Sequence, residues 1–550
     1  MTGVALAVLL LAPLVGPGFV LAFDMVFVPE LPLSGRLLGL DGTPRAVPSD
    51  LLVALAGQVV PGAWLQDLVL VALVVGAAWG AARLVPSDAP SAAVVAATAY
   101  GWSAYLHERL LLGQWALLVG WAVLPWAARA AIAWRRGGRA GPAVLCLAVA
   151  ACGGASALLL VGLVVVLCGR PGRALVATTV LALPWLVPAL LAPAGLEGGD
   201  PAGVSAFASR SDTPFGVVVS LLTGGGVWAP AAVPPGRGAA AVAGLVVLGL
   251  AALGLRPTVS RLGPRLATAA SVSLVLALLG RLPVAADLLR EGVQRFGALG
   301  LLRDGQKWVA PAVLLVAVAA AVGAERCVQR VSSAGTRRAA AVLAAVAPLA
   351  ALPGGAWGES GRLQVSHYPR EWTSVTARVD APTVLVLPWH AYRRFPWTGE
   401  RTVLDPAPRW LSARAVVDDD LPLRGTEVRG EDPLAAALDD AVSSGRPLLQ
   451  ELVRAGVGQV LVERSDRAAD PALLTRQLTG LSLVVETPEL ALYDVPGGGA
   501  EPERVPLAPV LVGDLAALSL VGWALGSTAV PALRSRRRAA SLGAVDRGHV

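Results

Sequence analysis

Apolar residues run along this chain in long unbroken blocks, neither alternating as in half-buried strands nor recurring as the single stripe of a soluble helix. Windows suited to crossing ~30 Å of hydrocarbon fall at 4–22, 66–85, 91–106, 115–134, 142–153, 156–168, 174–192, 239–255, 266–282, 308–325, 339–353 and 508–530. The stretch 142–168 reads as one long helix or as two short ones divided at Gly153-Gly154-Ala155-Ser156. From 354 to 507 the pattern changes and reads as α/β. Thr383 to Leu387 and Gln459 to Val462 are predicted strands, Leu448 to Ala455 is a helix, and Leu481–Val485 with Leu490–Val495 forms a terminal hairpin.

Charge chooses between the two readings of 142–168. With two segments there and the N-terminus inside, the basic clusters Arg135/Arg136/Arg139, Arg170/Arg173, Arg256/Arg261/Arg265, Arg326/Arg330/Arg337/Arg338 and Arg534/Arg536/Arg537/Arg538 all face the cytoplasm, as the positive-inside rule requires. A single span would turn the later clusters outward. The sequence therefore predicts a polytopic α-helical membrane protein with about twelve transmembrane helices. Residues 1–353 form the transmembrane part, with outer loops at 23–64, 193–238 and 283–307. The segment 354–507 is an extracytoplasmic α/β domain, 508–530 is the final span, and 531–550 is a basic cytoplasmic tail.

Composition fits that class: 55% of the 550 residues are hydrophobic and 15% charged, with a mean hydropathy of +0.64. The net charge of +7 is accounted for by the cytoplasmic loops, so no nucleic-acid partner is implied. Cys146, Cys152, Cys168 and Cys327 form no CxxC and have no neighbouring His, which makes them packing residues. The apolar blocks hold few ionisable side chains, Asp514 excepted, where an ion-coupled transporter needs acids or histidines. Neither a P-loop nor HExxH or GxSxG is present.

The polar residues worth attention lie at the mouths of the apolar blocks. Phe23-Asp24-Met25-Val26-Phe27-Val28-Pro29-Glu30 follows the first block and places one carboxylate where it ends and a second six residues on. An acid pinned to a membrane face is a functional candidate; the plainer reading is a helix end meeting lipid headgroups. His107-Glu108-Arg109, followed by Gly113-Gln114, and Arg303-Asp304-Gly305-Gln306-Lys307-Trp308 are similar clusters. Lys307 is the chain's one lysine, a compact cation suited to a phosphate. The plainer readings of these two are a solvated turn and a juxtamembrane ion pair. In the α/β region, Pro388-Trp389-His390-Ala391-Tyr392-Arg393-Arg394-Phe395-Pro396-Trp397 interleaves aromatic rings with arginines. Trp389, Tyr392, Arg393 and Trp397 could stack on and pair with a glycan, or simply pack the core. Asp418-Asp419-Asp420 is a candidate for a divalent cation, although such a run is more commonly a solvated turn.

The layout, with an acid in the loop after the first helix, about a dozen helices and a large C-terminal outer domain, resembles the GT-C superfamily of membrane glycosyltransferases, and within it an uncharacterised actinobacterial branch like the arabinofuranosyltransferases. The resemblance covers residues 1–350 by layout. It implies a cell-membrane enzyme that moves a sugar from a polyprenyl-phosphate donor in the bilayer to a cell-envelope glycan or lipid acceptor. Asp24 matches the family's catalytic acid by position, although Met25 follows it where paired acids are common. Glu30, His107, Glu108, Arg109, Gln114, Arg303, Asp304 and Lys307 would then bind substrate. The competing expectation is a non-enzymatic scaffold or lipid-linked glycan translocator in envelope assembly.

Overall fold

The computed structural model describes residues 1–41, 44–192, 198–423 and 425–545. Parts of the predicted outer loops at 42–43 and 193–197, and of the tail at 546–550, lie outside the described residues.

The expectation of about twelve transmembrane helices is corrected. Among the described residues six helices are long and apolar enough to cross a membrane: Gly62–Leu84, Trp115–Arg135, Pro171–Leu191, Ala241–Leu262, Gln306–Gln329 and Leu507–Thr528. The count reaches eight if two sharply bent pairs each form one span, Pro264–Arg281 with Pro283–Arg295 (82°) and Ala334–Ala350 with Pro353–Gly361 (69°). The other four apolar windows contain helices too short to cross. The opening helix Thr2–Leu11 stops where Pro13 and the run Gly16-Pro17-Gly18 take over, because proline cannot continue the hydrogen-bond ladder. Its ten residues rise only about 15 Å. Likewise Pro90–Gly101 ends at Trp102, and 142–168 is two helices, Gly141–Cys152 and Gly154–Cys168. Window hydropathy counts these irregular ends as span; the chain buries their apolar residues against protein instead.

The helix Gln306–Gln329 is the bundle's centre and is almost wholly buried. Its neighbour Ala241–Leu262 crosses it backbone to backbone. A Cβ on Gly254 would lie 1.9 Å from the Ala319 carbonyl oxygen, and one on Gly323 would lie 1.9 Å from that of Leu250. Small residues at a helix crossing permit this approach, and dispersion contacts then hold it.

The bundle has two unlike ends. At one, arginines cap the helix termini: Arg135 donates to the Gly169 carbonyl, Arg136 to that of Arg261, Arg265 to that of Leu167, and Arg129 to that of Arg83. At the other lie the Asp24 loop, the short helix Ala104–Leu111, the turn at 303–307 and the whole C-terminal region.

In that region a five-stranded mixed sheet runs in the order 482–486, 490–494, 459–463, 383–387, 414–416. Four of the five strands fall where the sequence placed them; the edge strand 414–416 was not among those predicted. Thr383–Leu387 is buried along its length and pairs in parallel with 459–463 and 414–416, as a central strand covered on both faces does. Its Leu385 and Leu387 face the helices Pro433–Ser443 and Leu449–Arg454. Val384 and Val386 point the other way, into a cluster with Trp372, Phe395 and Leu461 that is continuous with the bundle core. Period-two geometry thus welds the sheet to the membrane helices.

Candidate active site

After the opening helix the chain is pinned at successive points. Phe19–Val20 pairs with Val365–Ser366, and the Gln66 side chain binds both the amide and the carbonyl of Val20. The Asp24 amide donates to the Leu112 carbonyl (3.1 Å). Beneath it lies Gly113, whose φ of +75° suits glycine; a Cβ there would sit 2.1 Å from the Ala22 oxygen and 2.2 Å from the Met25 nitrogen. The loop is therefore moulded onto the end of Ala104–Leu111. Asp24 itself is half-buried. Its Oδ2 accepts from Gln114 Nε2 (3.2 Å) and its Oδ1 from the Tyr392 hydroxyl (2.7 Å). Burial pushes its carboxyl above the ordinary range, against the pull of those two donors and of Arg409 and Arg109.

A hydrogen-bonded chain runs onward from Asp24. Gln114 Oε1 accepts from Arg109 (2.6 Å), which is bidentate on Asp304 (2.5 and 2.9 Å) and donates to Gln306 (2.7 Å). Burial works against ionisation of Asp304, but the fork of Arg109 outweighs it and holds that carboxyl below its usual range. Lys307 lies within electrostatic reach of Asp304, Arg109 and Arg303, and its amine meets Ser156 Oγ at 3.4 Å. Arg303 binds Glu431 (3.2 Å) through Nη2, while its Nη1 makes no hydrogen bond among the described residues.

The triplet His107-Glu108-Arg109 does not converge, because successive residues on a helix point about 100° apart. Arg109 alone faces Asp24. His107 turns to Glu359, which projects from a left-handed turn, Trp357 to Ser360. Glu108 is fully buried, accepts from the Val227 amide and Gln306, and lies beside Asp212 and Arg237. Burial, with the charge of Asp212, raises the Glu108 carboxyl far above its usual range, while the pull of Arg237 outweighs burial and holds the Asp212 carboxyl below its own. Glu30 is exposed.

The four residues singled out in the α/β region also separate. Tyr392 reaches Asp24. Arg393 is buried against Asp405, Glu463 and Asp466. Trp397 stacks on Phe395 (4.8 Å), and Trp389 donates to Asp439 (2.9 Å). Asp419 and Asp420 accept from backbone amides at 430–432, and burial lifts the Asp418 carboxyl to about 6. Among the described residues no three His, Cys, Asp or Glu side chains are grouped to hold a metal ion. The sequence reading passed over Gln306, Asp212, Arg237 and Arg409. Only Gln306 carried a signal, as a polar residue inside a motif already noted; Arg409 reaches the Asp24 loop by donating to the Val26 carbonyl (2.7 Å) and gripping Asp50.

No protein-family model matches the chain, and no curated protein does. Among solved structures it is similar to the arabinofuranosyltransferase AftD from Mycobacteria, whose cryo-EM structure aligns with a TM-score of 0.60 at 19% identity over 91% of this chain and 40% of that one. Two classes of a mutant of that enzyme align with TM-scores of 0.55 and 0.52 at 18% identity, over 91% of this chain and 41% of theirs. The present chain thus spans about two fifths of the length of the proteins it matches. The likeness is one of fold and, at 91% of this chain, takes in bundle and C-terminal region together.

Proposed function

We propose that this protein is a GT-C-type glycosyltransferase that moves a sugar from a polyprenyl-phosphate donor to a cell-envelope glycan or lipid acceptor. The supporting observation is the chain from Asp24 through Gln114 and Arg109 to Asp304, with Lys307 and Arg303 on its flank. It joins a proton acceptor to cations with donor capacity to spare.

In this reading Asp24 takes the proton of an acceptor hydroxyl as the oxygen attacks the anomeric carbon. The bond from that carbon to the phosphate oxygen breaks, and polyprenyl phosphate leaves with the electron pair. Lys307 meets the charge growing on the phosphate, and Arg303 holds that phosphate alike before and during transfer. Arg109 is committed to Asp304 and Gln114 and serves as the brace between the two halves. The sidedness that fits puts the site and the C-terminal region outside the cell, since the arginine-capped end of the bundle belongs in the cytoplasm. There the donor must be lipid-linked, because nucleotide sugars are absent.

The test is transfer from polyprenyl-phosphate arabinofuranose to an arabinan oligosaccharide by the protein in nanodiscs. Asp24→Asn is expected to lower kcat by about 10²–10⁴-fold with an unchanged elution profile. Full activity in that variant removes Asp24 as the base. Absence of transfer by the native protein, together with flipping of labelled lipid-linked glycan in vesicles, supports the translocator instead.

A further inference from the structure

We infer that the C-terminal region completes the Asp24 site: the Tyr392 hydroxyl, carried in by the hairpin 392–404, is a positioning residue that keeps the Asp24 carboxylate oriented and ionised. For its catalytic consequence the inference rests on the reading of Asp24 as general base; the contact itself does not.

The hairpin is built of Tyr392–Arg394 paired antiparallel with Thr402–Leu404, Tyr392 opposite Leu404. Its second strand takes Phe23 as a further rung. The Phe23 amide donates to the Thr402 carbonyl (2.9 Å), and the Leu404 amide donates to the Phe23 carbonyl (2.8 Å). Phe23 holds a φ of +42°, a backbone region that a bulky L residue enters only when its surroundings impose it. The two backbone bonds impose it, and the Phe23 ring meets the Tyr392 ring edge-on at 6.2 Å. The residue before Asp24 is thus locked to the second strand of the hairpin whose first strand delivers the hydroxyl to Asp24 Oδ1.

The other charged groups facing Asp24 are committed elsewhere. Arg109 is bidentate on Asp304. Arg409 grips Asp50 and the Val26 carbonyl. Both act on Asp24 through space, as Arg45 does on Tyr392. Direct contact with the carboxylate is left to Gln114 and Tyr392. Burial favours the protonated acid, which is useless as a base, and a hydrogen bond donated to the charged form opposes this. With one lone pair of Oδ1 engaged by Tyr392 and one of Oδ2 by Gln114, each oxygen keeps a second lone pair for an acceptor hydroxyl.

The experiment follows the Asp24 carboxyl by infrared difference titration in nanodiscs, with its band assigned through Asp24→Asn. In Tyr392→Phe the midpoint is expected to rise by about one pH unit, since one charged hydrogen bond is lost. In protein carrying 3,5-difluorotyrosine at 392, a stronger donor of nearly the same shape, it should fall. Transfer from polyprenyl-phosphate arabinofuranose should move with it. A base works only when ionised, so the acid limb of kcat shifts upward in Tyr392→Phe, with about a tenfold loss below the midpoint and recovery at higher pH. A uniform loss at every pH over an unmoved midpoint would mean mere packing and overturn the inference. So would an unmoved midpoint in the fluorinated protein, which does not depend on Tyr392→Phe folding. If Asp24→Asn were active, the base reading would fall, yet the titration would still decide whether Tyr392 governs this carboxyl.

Discussion

Two clusters of acids around a buried arginine lie on either side of Tyr392, and they are built differently. Around Arg393, one guanidinium faces Asp405, Glu463 and Asp466, and none of the four side chains is more than 1% exposed. Around Arg109, the partner Asp304 is 13% exposed, and the chain runs out to a half-buried carboxylate at one end and to Lys307 and Arg303 at the other. The first cluster is closed around its guanidinium, with His390 on Asp466 at its outer side, and it anchors the fold. The second is open, with acceptor and donor capacity left for a molecule from outside. Neighbours along a strand point to opposite faces, so Arg393 anchors in the core the strand whose other face offers Tyr392 to Asp24.

The sharpest way to break this contrast is to exchange the consequences. Arg393→Met should leave three carboxylates buried without their cation and cost about 3–5 kcal/mol of stability, read as a lowered denaturant midpoint by tryptophan fluorescence in detergent. Asp24→Asn should leave that midpoint where it is and abolish transfer. If Arg393→Met were as stable as the native protein, the closed cluster would not be what holds the hairpin in place.

How far these differences could be read from the sequence depends on the distance between partners. The Asp24 stretch stood out because an acid directly after an apolar block is costly wherever it lies, and that cost is local. The strand Thr383–Leu387 was legible from local signals too, as a short β-rich run bounded by Pro382 and Pro388. Nothing near Asp24 announces Tyr392, 368 residues away, and nothing near Glu108 announces Asp212 or Arg237; those partnerships exist only once the bundle is packed. The twelve windows failed on another count. Hydropathy tells that a segment avoids water, but whether it meets lipid or protein is decided by neighbours, and Pro13, the break after Gly101 and the turn at Gly153 end helices that the average ran straight through. The triplet at 107–109 could have been read better, since helical periodicity alone forbids three consecutive residues from sharing one target.

A smaller change probes how the open cluster is held. Gly113→Ala would drive a methyl group into the backbone of Ala22 and Met25 and oblige an L residue to take a φ of +75°. The expected penalty is about 1–3 kcal/mol, less than for Arg393→Met, because the loop can move aside. Moving aside displaces the Asp24 amide from Leu112, so transfer should drop more than tenfold while the helical circular dichroism stays constant. If activity survives, the loop does not need Gly113 for its seat.

The finest test addresses the far end of the open cluster, where the phosphate is proposed to sit. Arg303 spends Nη2 on an exposed glutamate and leaves Nη1 unpartnered among the described residues, with its guanidinium 5.6 Å from the Phe207 ring. The ion pair with Glu431 is partly solvated and contributes about 0–1 kcal/mol, so Arg303→Gln should leave the unfolding midpoint almost unchanged. Removing a contact to the donor phosphate that is made equally in ground and transition states raises KM without lowering kcat. A several-fold rise in the KM for polyprenyl-phosphate arabinofuranose at constant kcat is therefore expected. A fall in kcat instead would place Arg303 among the groups that meet charge only as the glycosidic bond breaks. An unchanged KM and kcat would make it as closed as Arg393, its guanidinium spent on Glu431 and Phe207, and would leave Lys307 as the cation that faces the lipid phosphate.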